Sequence, residues 1–588
     1  MSGTFQPDRM PGYALPKYAY RRPPELAGGE SPLYPAAVVG AGLGGLTAAL
    51  ELGRRGVRTV VLDDDDSVGA QGLSSRGICH AQRSLQAYDR FGVASRIVGK
   101  GVTWNEGDVF VRDERIFRFD LQPGRDQKFP AFVNLQQFYV EQYLVEALLE
   151  TPAVDLRWKN RVVDVAQHAD HVALTVETPD GRYAMKARYV VGADGAHSVL
   201  REKLGASDAE SALFENHWCI ADVRMPGAPG AVRKAYLDAP QNEGGAIWYH
   251  QMADGVWRTD WLITHYADRD AEATPARATE RLRKLLGPGT PFELVWVGPW
   301  RFRRRVLERM THGRVFFLGD AAAQHSPFGA RGGNRAVQDA NNLGWKLALV
   351  LQGRARPELL DTYELERHFA ARENVEVSSR SACFIAPETE GQRLVRDAFV
   401  DLARRHEWAR PMVNTGRLSV ATVYAASPLN MEGAGLDAPL AQPGAAAPDG
   451  RLGDAFLVDR LQGEFAVAYF GGEGPAVPDA QNFVVTKRER VLFERYGVED
   501  RATYVFRPDG HILARCAGID GAFARAAVEH VLGYRKPAEI REAKSEQPAS
   551  DRLFDRLSAE LDAMPAERRA AHLAPVIARI EQMGTVPI

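Results

Sequence analysis

Cysteines and long apolar runs are scarce in this sequence, and each shortage excludes a class of protein. The 588 residues include four cysteines, Cys79, Cys219, Cys383 and Cys516, which stand far apart without a CxxC pair or a histidine at metal-ligand spacing. The sequence therefore predicts neither a disulfide framework nor a metal site. No stretch reaches the roughly 20 apolar residues of a membrane span, and residues 1–35 lack the apolar core of a signal peptide. We expect a cytoplasmic protein without a membrane span.

Neither sign of charge dominates the chain. The 73 Lys and Arg residues are interspersed with 76 Asp and Glu residues, which gives a formal net charge of -3. Such a balance argues against a nucleic-acid partner. A chain of this length exceeds what one hydrophobic core usually organises, so we expect two or three domains.

Changes in composition divide the chain into regions. Repeated prolines predict an extended N-terminal arm over residues 1–35. Aromatic residues among β-formers mark residues 214–300 as rich in strands. A stretch rich in Pro, Gly and Ala over residues 427–450 predicts a linker, followed by a C-terminal domain over 451–540. The composition of residues 541–588 predicts a helical tail.

A glycine-rich turn opens the folded part of the chain. A short apolar strand from Ala36 leads into the turn and then into a helix, and a second strand ends at Asp63. This order is typical of a Rossmann βαβ unit, in which backbone N–H groups meet a pyrophosphate and the acid at the strand end meets a ribose. A turn needed only for tight packing would not explain Asp63. The motif predicts dinucleotide binding through Gly40, Gly42, Leu43, Gly44, Gly45 and Asp63.

Two further motifs follow along the chain. In the segment from Val190 to Arg201, Asp194 comes directly after a hydrophobic strand. The run Gly319-Asp320-Ala321-Ala322 follows another apolar strand, where a carboxylate is suited to accept hydrogen bonds from ribityl hydroxyls. Three motifs in this order favour FAD over NAD.

On these motifs, residues 36 to 400 resemble the para-hydroxybenzoate hydroxylase family of FAD-dependent aromatic monooxygenases. Residues 319–334 match, without gaps, the family loop that carries the isoalloxazine ring. The resemblance implies Asp320 at the ribityl chain, Pro327 at the reactive flavin edge, and the backbone of Gly333 and Asn334 at the pyrimidine carbonyl.

A helix beginning near Gly332 would point its positive end at that carbonyl, so Gly332 joins the predicted cofactor contacts. The same comparison adds Arg76, Gln137, Val162 and Asp194 as FAD-contacting positions. Ala323 departs from the family pattern, because many relatives have histidine there, and any role of that histidine is absent.

Beyond residue 450 the chain resembles the thioredoxin-like C-terminal domain of the phenol hydroxylase and 3-(3-hydroxyphenyl)propionate hydroxylase branch, notably over Tyr504 to His511. Because it lacks a CxxC pair, we expect a structural or oligomer-forming role for this domain. The expected fold is therefore α/β, with a Rossmann-like FAD-binding domain (36–213 and 301–430), an interleaved antiparallel β-sheet substrate domain (214–300) and a thioredoxin-like C-terminal domain (451–540).

The resemblance also implies a reaction. NADH or NADPH would reduce FAD, O2 would form a C4a-hydroperoxide on the flavin, and its distal oxygen would pass to an electron-rich carbon of a phenol-like substrate. The protein would exclude water, orient the ring and assist deprotonation of the phenol. The expected partners are a small aromatic substrate, O2 and NADH or NADPH, and a homodimer is one candidate assembly.

The strand-rich region supplies the candidates for substrate contact. They are Tyr236, Tyr249, His250, Gln251 and Arg258, with His217 as a further candidate. Strand alternation places Tyr249 and Gln251 on one face, and Tyr249 is the first choice for catalysis. His250 would face the other way, where a structural histidine is the alternative. Arg258 belongs to the predicted catalytic set as a contact for a substrate carboxylate, and because it shares a face with Asp260, a plain ion pair is the alternative. Pro327 completes the predicted catalytic set.

Other functions remain compatible with the same motifs. An FAD-dependent dehydrogenase or reductase would use them without oxygen insertion, and a hydroxylase of a larger aromatic natural product or antibiotic would share the fold. A non-catalytic FAD-binding protein is the alternative from another class, and tight FAD binding without substrate-stimulated oxidation of NAD(P)H would favour it.

Overall fold

The computed structural model confirms the α/β fold class. It describes residues 13–28, 31–69, 77–122, 124, 126–214, 216–225, 233–264, 267–536 and 548–586. None of the helices in these ranges is both long enough and apolar enough to cross a membrane.

The first part of the chain alternates strands and helices. In order they are β1 (Leu33–Val39), α1 (Leu43–Gly53), β2 (Thr59–Leu62), β3 (Cys79–Ala81), α2 (Gln82–Asp89), α3 (Ala94–Lys100), β4 (Val102–Trp104), β5 (Glu106–Val111), β6 (Glu114–Asp120), β7 (Phe132–Asn134), α4 (Gln137–Leu149), β8 (Val154–Arg157), β9 (Arg161–Gln167), β10 (Val172–Thr178), β11 (Gly181–Gly192) and α5 (Val199–Lys203).

The middle of the chain is mostly strands, followed by long helices. The elements are β12 (Asp208–Leu213), β13 (His217–Arg224), β14 (Arg233–Ala239), β15 (Gly245–Gln251), β16 (Val256–Ile263), α6 (Arg269–Glu272), α7 (Pro275–Leu286), β17 (Glu293–Trp300), β18 (Arg303–Leu307), β19 (Thr311–His312), β20 (Val315–Phe317), β21 (Ala323–Gln324), α8 (Gly332–Leu351), α9 (Asp361–Ile385) and α10 (Glu390–Arg405).

The last part contains a smaller sheet and four helices among its described residues. The elements are β22 (Met431–Glu432), β23 (Arg451–Leu452), β24 (Ala455–Phe456), β25 (Phe465–Phe470), β26 (Ala480–Val485), α11 (Arg490–Arg495), β27 (Ala502–Phe506), β28 (Ile512–Ala517), α12 (Gly521–Leu532), α13 (Ala549–Asp562) and α14 (Ala566–Met583).

The central sheet brings the three sequence motifs to one edge. Its strands β20, β11, β1, β2 and β8 lie side by side and run parallel. In register, Val39 pairs with Gly192 and Gly192 pairs with Phe317, so the carboxyl ends of β1, β11 and β20 are neighbours. Because each motif begins just after one of these strands, the turns after Val39, Gly192 and Phe317 meet at the edge where open parallel sheets bind ligands.

A second sheet contains the strands of residues 217–300, for which we predict a substrate domain, and it also includes strands from an earlier part of the chain. Among the described residues its strand order is β17-β13-β16-β15-β14-β5-β6. Residues 106–120 supply β5 and β6, although the sequence predicts them to belong to the FAD-binding domain. Val109 of β5 pairs with Ala235 of β14. Pairing between segments so distant in sequence is not visible in local patterns.

The C-terminal sheet begins before the expected boundary. It has the order β22-β28-β27-β25-β26, with β25 and β26 adjacent and parallel. In the segment predicted as a linker, β22 joins this sheet, and Ala438, Ala441 and Ala447 are buried in its core. Small residues that resemble a linker in composition pack closely here instead. The thioredoxin-like assignment stays a prediction.

Buried charges connect the C-terminal sheet to the predicted FAD-binding domain. Arg507, after β27, donates to both carboxylate oxygens of Glu366 on α9, at 2.7 and 2.9 Å. Lys346 of α8 donates to the same carboxylate at 2.7 Å, and Arg507 also pairs with Asp509 at 2.7 Å. All four side chains are at most 2% exposed. We call Lys346, Glu366, Arg507 and Asp509 the interdomain ion cluster.

The described part of the N-terminal arm lies along the FAD-binding domain. Over residues 13–28, here called the arm segment, the chain is extended apart from one short turn of helix. The ring of Tyr18 stacks on Trp158 with centroids 4.8 Å apart. Glu25 forms a buried ion pair with Arg157 at 2.9 Å. These contacts fix the arm segment against the sheet edge occupied by β8.

Candidate active site

The glycines of the first turn divide into two kinds. Gly40 has a φ of 101°, and a Cβ there would lie 2.4 Å from the carbonyl oxygen of Ala193. A Cβ on Gly45 would lie 1.9 Å from the carbonyl oxygen of Gly40. Gly44 likewise has no room beside Leu318, at 2.5 Å. The packing of the protein itself therefore requires these three glycines.

Gly42 has no such reason to be glycine. Its φ of -80° suits any residue, and the nearest atom to an added Cβ is a carboxylate oxygen of Glu141 at 4.0 Å. The open space lies directly before α1, whose first backbone N–H groups and positive dipole end are suited to a pyrophosphate. A side chain would fill this cradle, so the turn fits a dinucleotide.

Asp63 lies at the end of β2 and organises the turn. One of its carboxylate oxygens accepts a hydrogen bond from the backbone N–H of Ala41 at 2.6 Å, and the other accepts from Asp65 at 2.9 Å. Burial raises the pKa of Asp63 to about 6. Each carboxylate oxygen has a second lone pair, so contact with the ribose stays a prediction.

Asp194, after β11, has a buried carboxylate oxygen for which the described part of the chain supplies no hydrogen bond. Its Oδ2 accepts from the backbone N–H of Leu200 at 3.0 Å, while Oδ1 has no hydrogen bond among the described residues. Burial raises the pKa of this carboxyl group. An unpaired buried acceptor is costly, and a donor on a bound cofactor would satisfy it.

The predicted flavin loop lies between β20 and α8. The backbone N–H of Gly319 donates to Asp339 of α8 at 3.0 Å, which ties the start of the loop to that helix. Asp320 and Pro327 are exposed, as a role in contacting a cofactor requires. The side chain of Asp320 has no hydrogen bond within the described ranges.

The N-termini of α8 and α1 lie side by side. Gly332 begins α8, and the neighbouring Gly333 is exposed, with Leu43 3.2 Å from where its Cβ would be. Two helix ends of positive potential therefore point at the same edge of the sheet, which suits a cofactor with a pyrophosphate and a flavin ring that gains negative charge.

Asn334 has a structural side chain. Its Oδ1 accepts from Ala81 at 2.8 Å and from Ser84 at 2.7 Å, and its Nδ2 donates to the carbonyls of Cys79 and Ala330. The amide has used its hydrogen-bonding capacity. Only the backbone of Asn334 can serve a cofactor, in line with the prediction.

The remaining predicted cofactor positions differ in their placement. Arg76 lies outside the described residues. Gln137 begins α4 and accepts from the backbone N–H of Gly77 at 3.1 Å. Val162 is buried in the main core opposite Val176 of β10, so it can offer a cofactor only its backbone.

The predicted tyrosines lie on the face of the second sheet that is turned away from the flavin loop. The ring of Tyr249 stacks on Trp257 with centroids 4.4 Å apart and belongs to the core that includes Ala278 and Leu282 of α7. Tyr236 packs against the same core. The structure therefore does not support Tyr249 as the first catalytic candidate or Tyr236 as a substrate contact.

Gln251 and His217 also gain no support. Gln251 is at the end of β15, where its backbone carbonyl accepts from Asn134 at 2.9 Å. His217 lies at the first position of β13, opposite Ile263. Neither residue belongs to the group of side chains around the flavin loop described next.

The opposite face of this sheet meets the flavin loop. Phe328 packs between Trp218 and Trp248, with ring centroids 5.0 and 5.2 Å away, and also contacts Phe302. Because side chains alternate along a strand, the face that carries Trp248 also carries His250. The aromatic contacts therefore place His250 on the side of the sheet that faces the predicted isoalloxazine site.

A cluster of charged groups occupies this face, and we call it the sheet-face cluster. Its members are Asp222, Arg233, His250, Arg258 and Asp260. Arg258 forms an ion pair with Asp222 through Nε and Oδ1 at 3.1 Å, rather than with Asp260 as the alternative had it. Arg233 donates to the carbonyl of Thr415 at 3.1 Å. The described residues offer no hydrogen bond to the Nδ1 atom of His250.

The arm segment reaches this cluster. The Tyr13 hydroxyl donates to Oδ2 of Asp222 at 3.2 Å. Its ring lies 4.9 Å from that of Phe138 at the start of α4. Burial, and then the Asp222 carboxylate, raise the pKa of Tyr13 above its usual value.

Sequence patterns missed Tyr13, Asp222 and Arg233 as members of the site. In the sequence Asp222 is not distinguished from other acidic residues in strands, because its cross-strand partner Arg258 is distant in sequence. Alternation along β13 and β14 is the signal that would have found Asp222 and Arg233, once the flavin-facing side of the sheet was known.

The fold and the site together define a dinucleotide-binding protein with a second sheet closed over the cofactor region. Comparison with known families identifies it further: the chain belongs to the FAD binding domain family, whose model matches residues 34–378. The family match confirms the resemblance drawn from the three motifs, and it confirms FAD as the cofactor.

Similar proteins include aromatic hydroxylases. The chain is 34% identical over 355 residues to 6-methylpretetramide 4-monooxygenase of Streptomyces rimosus. This match covers 59% of this chain and 60% of that protein. The chain is 28% identical over 364 residues to 3-(3-hydroxy-phenyl)propionate/3-hydroxycinnamic acid hydroxylase of Mycolicibacterium smegmatis, covering 62% of this chain and 63% of that protein. The matches span less than two thirds of these relatives.

Solved structures share the fold over most of the chain. The flavin-dependent monooxygenase PieE, in complex with FAD and substrate, superposes with a TM-score of 0.70 at 22% identity and covers 86% of this chain and 100% of its own. Aklavinone-11 hydroxylase, in a ternary complex with FAD and aklavinone, gives a TM-score of 0.65 at 24% identity, with 86% and 99% covered.

Proposed function

We propose that this protein is an FAD-dependent monooxygenase that uses NADH or NADPH and O2 to hydroxylate an aromatic, phenol-like substrate. The observation that carries the proposal is the contact between the flavin loop and the second sheet. Phe328 lies 5.0 Å from Trp218, on the face that also holds His250, Arg258 and Asp260. A dinucleotide-binding protein without an aromatic substrate would have no evident use for this polar group on the sheet face that contacts Phe328.

The chain's own residues would bind the cofactor at the edge of the parallel sheet. The space at Gly42 and the N-terminus of α1 would receive the pyrophosphate, and Asp63 would accept from the ribose. Asp194 and Asp320 would accept from further hydroxyl groups. The N-terminus of α8, at Gly333, would stabilise negative charge on the ring. When bound, FAD supplies the oxygen-transfer chemistry.

The sheet-face cluster would hold the substrate. Trp218, Trp248 and Phe328 would exclude water from the reacting atoms. Arg258 and Arg233 remain positively charged near neutral pH, since burial lowers the pKa of Arg233 only to about 10. These charges favour an anionic form of the substrate, and a phenolate ring is more nucleophilic than a phenol. His250 would be neutral, because burial and then Arg233 lower its pKa well below the usual value.

The size of the substrate is open between two classes. Relatives named for pretetramide and aklavinone, which are 34% and 33% identical, favour a multi-ring substrate. The relative named for hydroxyphenylpropionate, at 28% identity, favours a single ring. A homodimer and a location in the reducing cytoplasm complete the proposal.

The test is substrate-stimulated oxidation of NADH and NADPH, followed together with O2 uptake on the purified flavoprotein. The panel contains phenol, hydroxybenzoates and hydroxyphenylpropionates, together with multi-ring phenols such as anthracyclinones. We expect one compound to accelerate oxidation and to yield a hydroxylated product. Bound FAD with no acceleration and no product from any member would overturn the proposal and favour a dehydrogenase or a non-catalytic flavoprotein.

A further inference from the structure

One carboxylate of the sheet-face cluster differs from other interior carboxylates. Asp260 is partly accessible, and its side chain has no hydrogen bond within the described parts of the chain. Its cross-strand neighbours are Trp248 and Ile220. Since Trp248 contacts Phe328 of the flavin loop, Asp260 is directed into the space between the sheet and that loop.

The groups that face Asp260 come from several elements. Arg258 lies two positions away on β16, Asp222 is on β13, and Arg233 is on β14. His250 on β15 lies diagonally across from Asp260. The two arginines favour an ionised carboxylate, whereas Asp222 disfavours it, and Asp222 is already engaged with Arg258.

Burial is the largest influence, and it raises the pKa of Asp260 to about 7. Three titratable neighbours change charge far from this value. Burial raises the pKa of the Cys79 thiol to about 12 and that of Tyr13 above its usual range, and it lowers that of His250 well below 6.5. The pKa of Asp260 therefore lies near neutral pH, where a general base is most effective.

We propose that Asp260 is the base that accepts the proton of the substrate's phenolic hydroxyl. In this step the O–H bond of the phenol breaks, its electron pair stays on the oxygen as phenolate, and a new O–H bond forms on the Asp260 carboxylate. Arg258 and Arg233 stabilise the resulting negative charge. The proton leaves to solvent after product release, so that no further reactant is needed. The assignment rests on the proposed function.

Other groups are less suited to the task. Tyr249 faces the core beneath α7. His250 lies between Arg233 and Arg258, where a positive imidazolium would be repelled. Asp222 already accepts from Arg258 and Tyr13.

The test combines a binding titration with turnover. The probe is the panel member that the wild-type protein hydroxylates fastest, bound anaerobically to oxidised enzyme, and the phenolate absorbance is read by difference spectra from pH 5 to 9. In the wild-type protein we expect the bound phenol to ionise well below the pKa of the free compound, with kcat falling as the pH drops through about 7.

The variants are Asp260→Asn and Asp260→Glu. For Asp260→Asn we expect the phenolate signal to shift toward the free pKa and kcat to fall about 100-fold or more, with unchanged FAD content. Asp260→Glu keeps a carboxylate and should restore part of both. The matched control is Asp254→Asn, which alters an exposed carboxylate on the same hairpin and should change neither.

The outcomes separate the two proposals. A wild-type protein that hydroxylates a phenol, with an Asp260→Asn variant of equal turnover and equal phenolate titration, overturns only the role of Asp260. If Asp260→Asn loses FAD or its fold, Asp260→Glu decides, and loss of the phenolate signal despite normal folding and FAD content would count against the inference. A wild-type protein that hydroxylates no member overturns the proposed function and this inference with it.

Discussion

Two groups of charged residues in the interior of this molecule differ in how many hydrogen-bond partners the protein gives them. In the interdomain ion cluster, both oxygens of Glu366 accept hydrogen bonds from Arg507, and one of them also accepts from Lys346. In the sheet-face cluster, the Asp260 side chain has no hydrogen bond and His250 Nδ1 has no partner among the described residues. The first group is complete without a ligand, and the second is not.

The pKa values of Glu366 and Asp260 are shifted in opposite directions. Burial alone would raise the pKa of Glu366, but Arg507 and Lys346 lower it below its usual value. Burial raises the pKa of Asp260 to about 7, because the nearby arginines only partly offset it. A carboxylate that is surrounded by donors holds a fold together, whereas a partly accessible carboxylate without donors is available to a substrate.

Breaking the complete cluster should have the largest effect. Glu366→Ala leaves Lys346 buried without a carboxylate and Arg507 with Asp509 alone, and we expect the free energy of unfolding to fall by about 3–5 kcal/mol. Chemical denaturation followed by far-UV circular dichroism measures it. Asp500→Asn, which disrupts the exposed pair with Lys487, is the control and should cause no measurable change. Equal stability of the two variants would contradict the role of the cluster.

Two glycines of the first turn separate the requirements of protein packing from those of cofactor binding. We expect Gly42→Ala to weaken FAD binding at least about tenfold, or ~1.4 kcal/mol, while the apo-protein unfolds as before, because the new methyl group fills only the cradle. Gly45→Ala should destabilise the apo-protein itself, since its Cβ would lie 1.9 Å from a carbonyl oxygen. Flavin fluorescence titration and thermal unfolding separate the two. Unchanged FAD affinity in Gly42→Ala would refute the assignment of the cradle.

Asp63 should make FAD binding depend on pH. Its pKa of about 6 means that the carboxylate is increasingly ionised as the pH rises through that value, and only the ionised form offers both oxygens to ribose hydroxyls. We expect FAD affinity to rise severalfold between pH 5 and 7, and to lose this dependence in Asp63→Asn. The exposed neighbour Asp64, changed to Asn, is the control. The same pH profile in Asp63→Asn and wild type would rule out the contact.

The smallest expected effect concerns the arm segment. Tyr13→Phe removes the donor to Oδ2 of Asp222, a loss of about 1 kcal/mol, and should loosen the Arg258 side chain. We expect a few-fold larger fraction of NAD(P)H oxidation to release hydrogen peroxide instead of product. Tyr20→Phe removes a hydroxyl of the same segment that bonds Thr178 and Asp180, away from the site. Equal peroxide release by both variants would separate the arm from the reaction.

The sequence predicted those features whose signal is local. The turn at Gly40, the second strand that leads to Asp63 and the helix that begins near Gly332 agree with the structure, because turn chemistry and helical periodicity act over a few residues. That the three motifs meet became visible only in the structure, where their strands are parallel neighbours. FAD as the cofactor followed from the same three segments.

Local sequence patterns could not show which face of the second sheet meets the flavin loop, or which residues pair across neighbouring strands. Alternation correctly separated Tyr249 from His250, but it could not say which face meets the flavin loop. That choice depends on α7, where Leu282 covers the Tyr249 side. In the same way, Arg258 was paired with Asp260 of its own strand because its real partner, Asp222, belongs to a different strand.

The long-range contacts of the arm segment affect the order in which parts of the molecule fold. Tyr13 bonds a residue 209 positions later, and Tyr20 one that is 160 positions later. During synthesis this segment emerges before any of its partners, and closing such long loops is slow. The earliest stretch of chain is therefore among the last to be seated, and the substrate face reaches its final arrangement only after both sheets have folded.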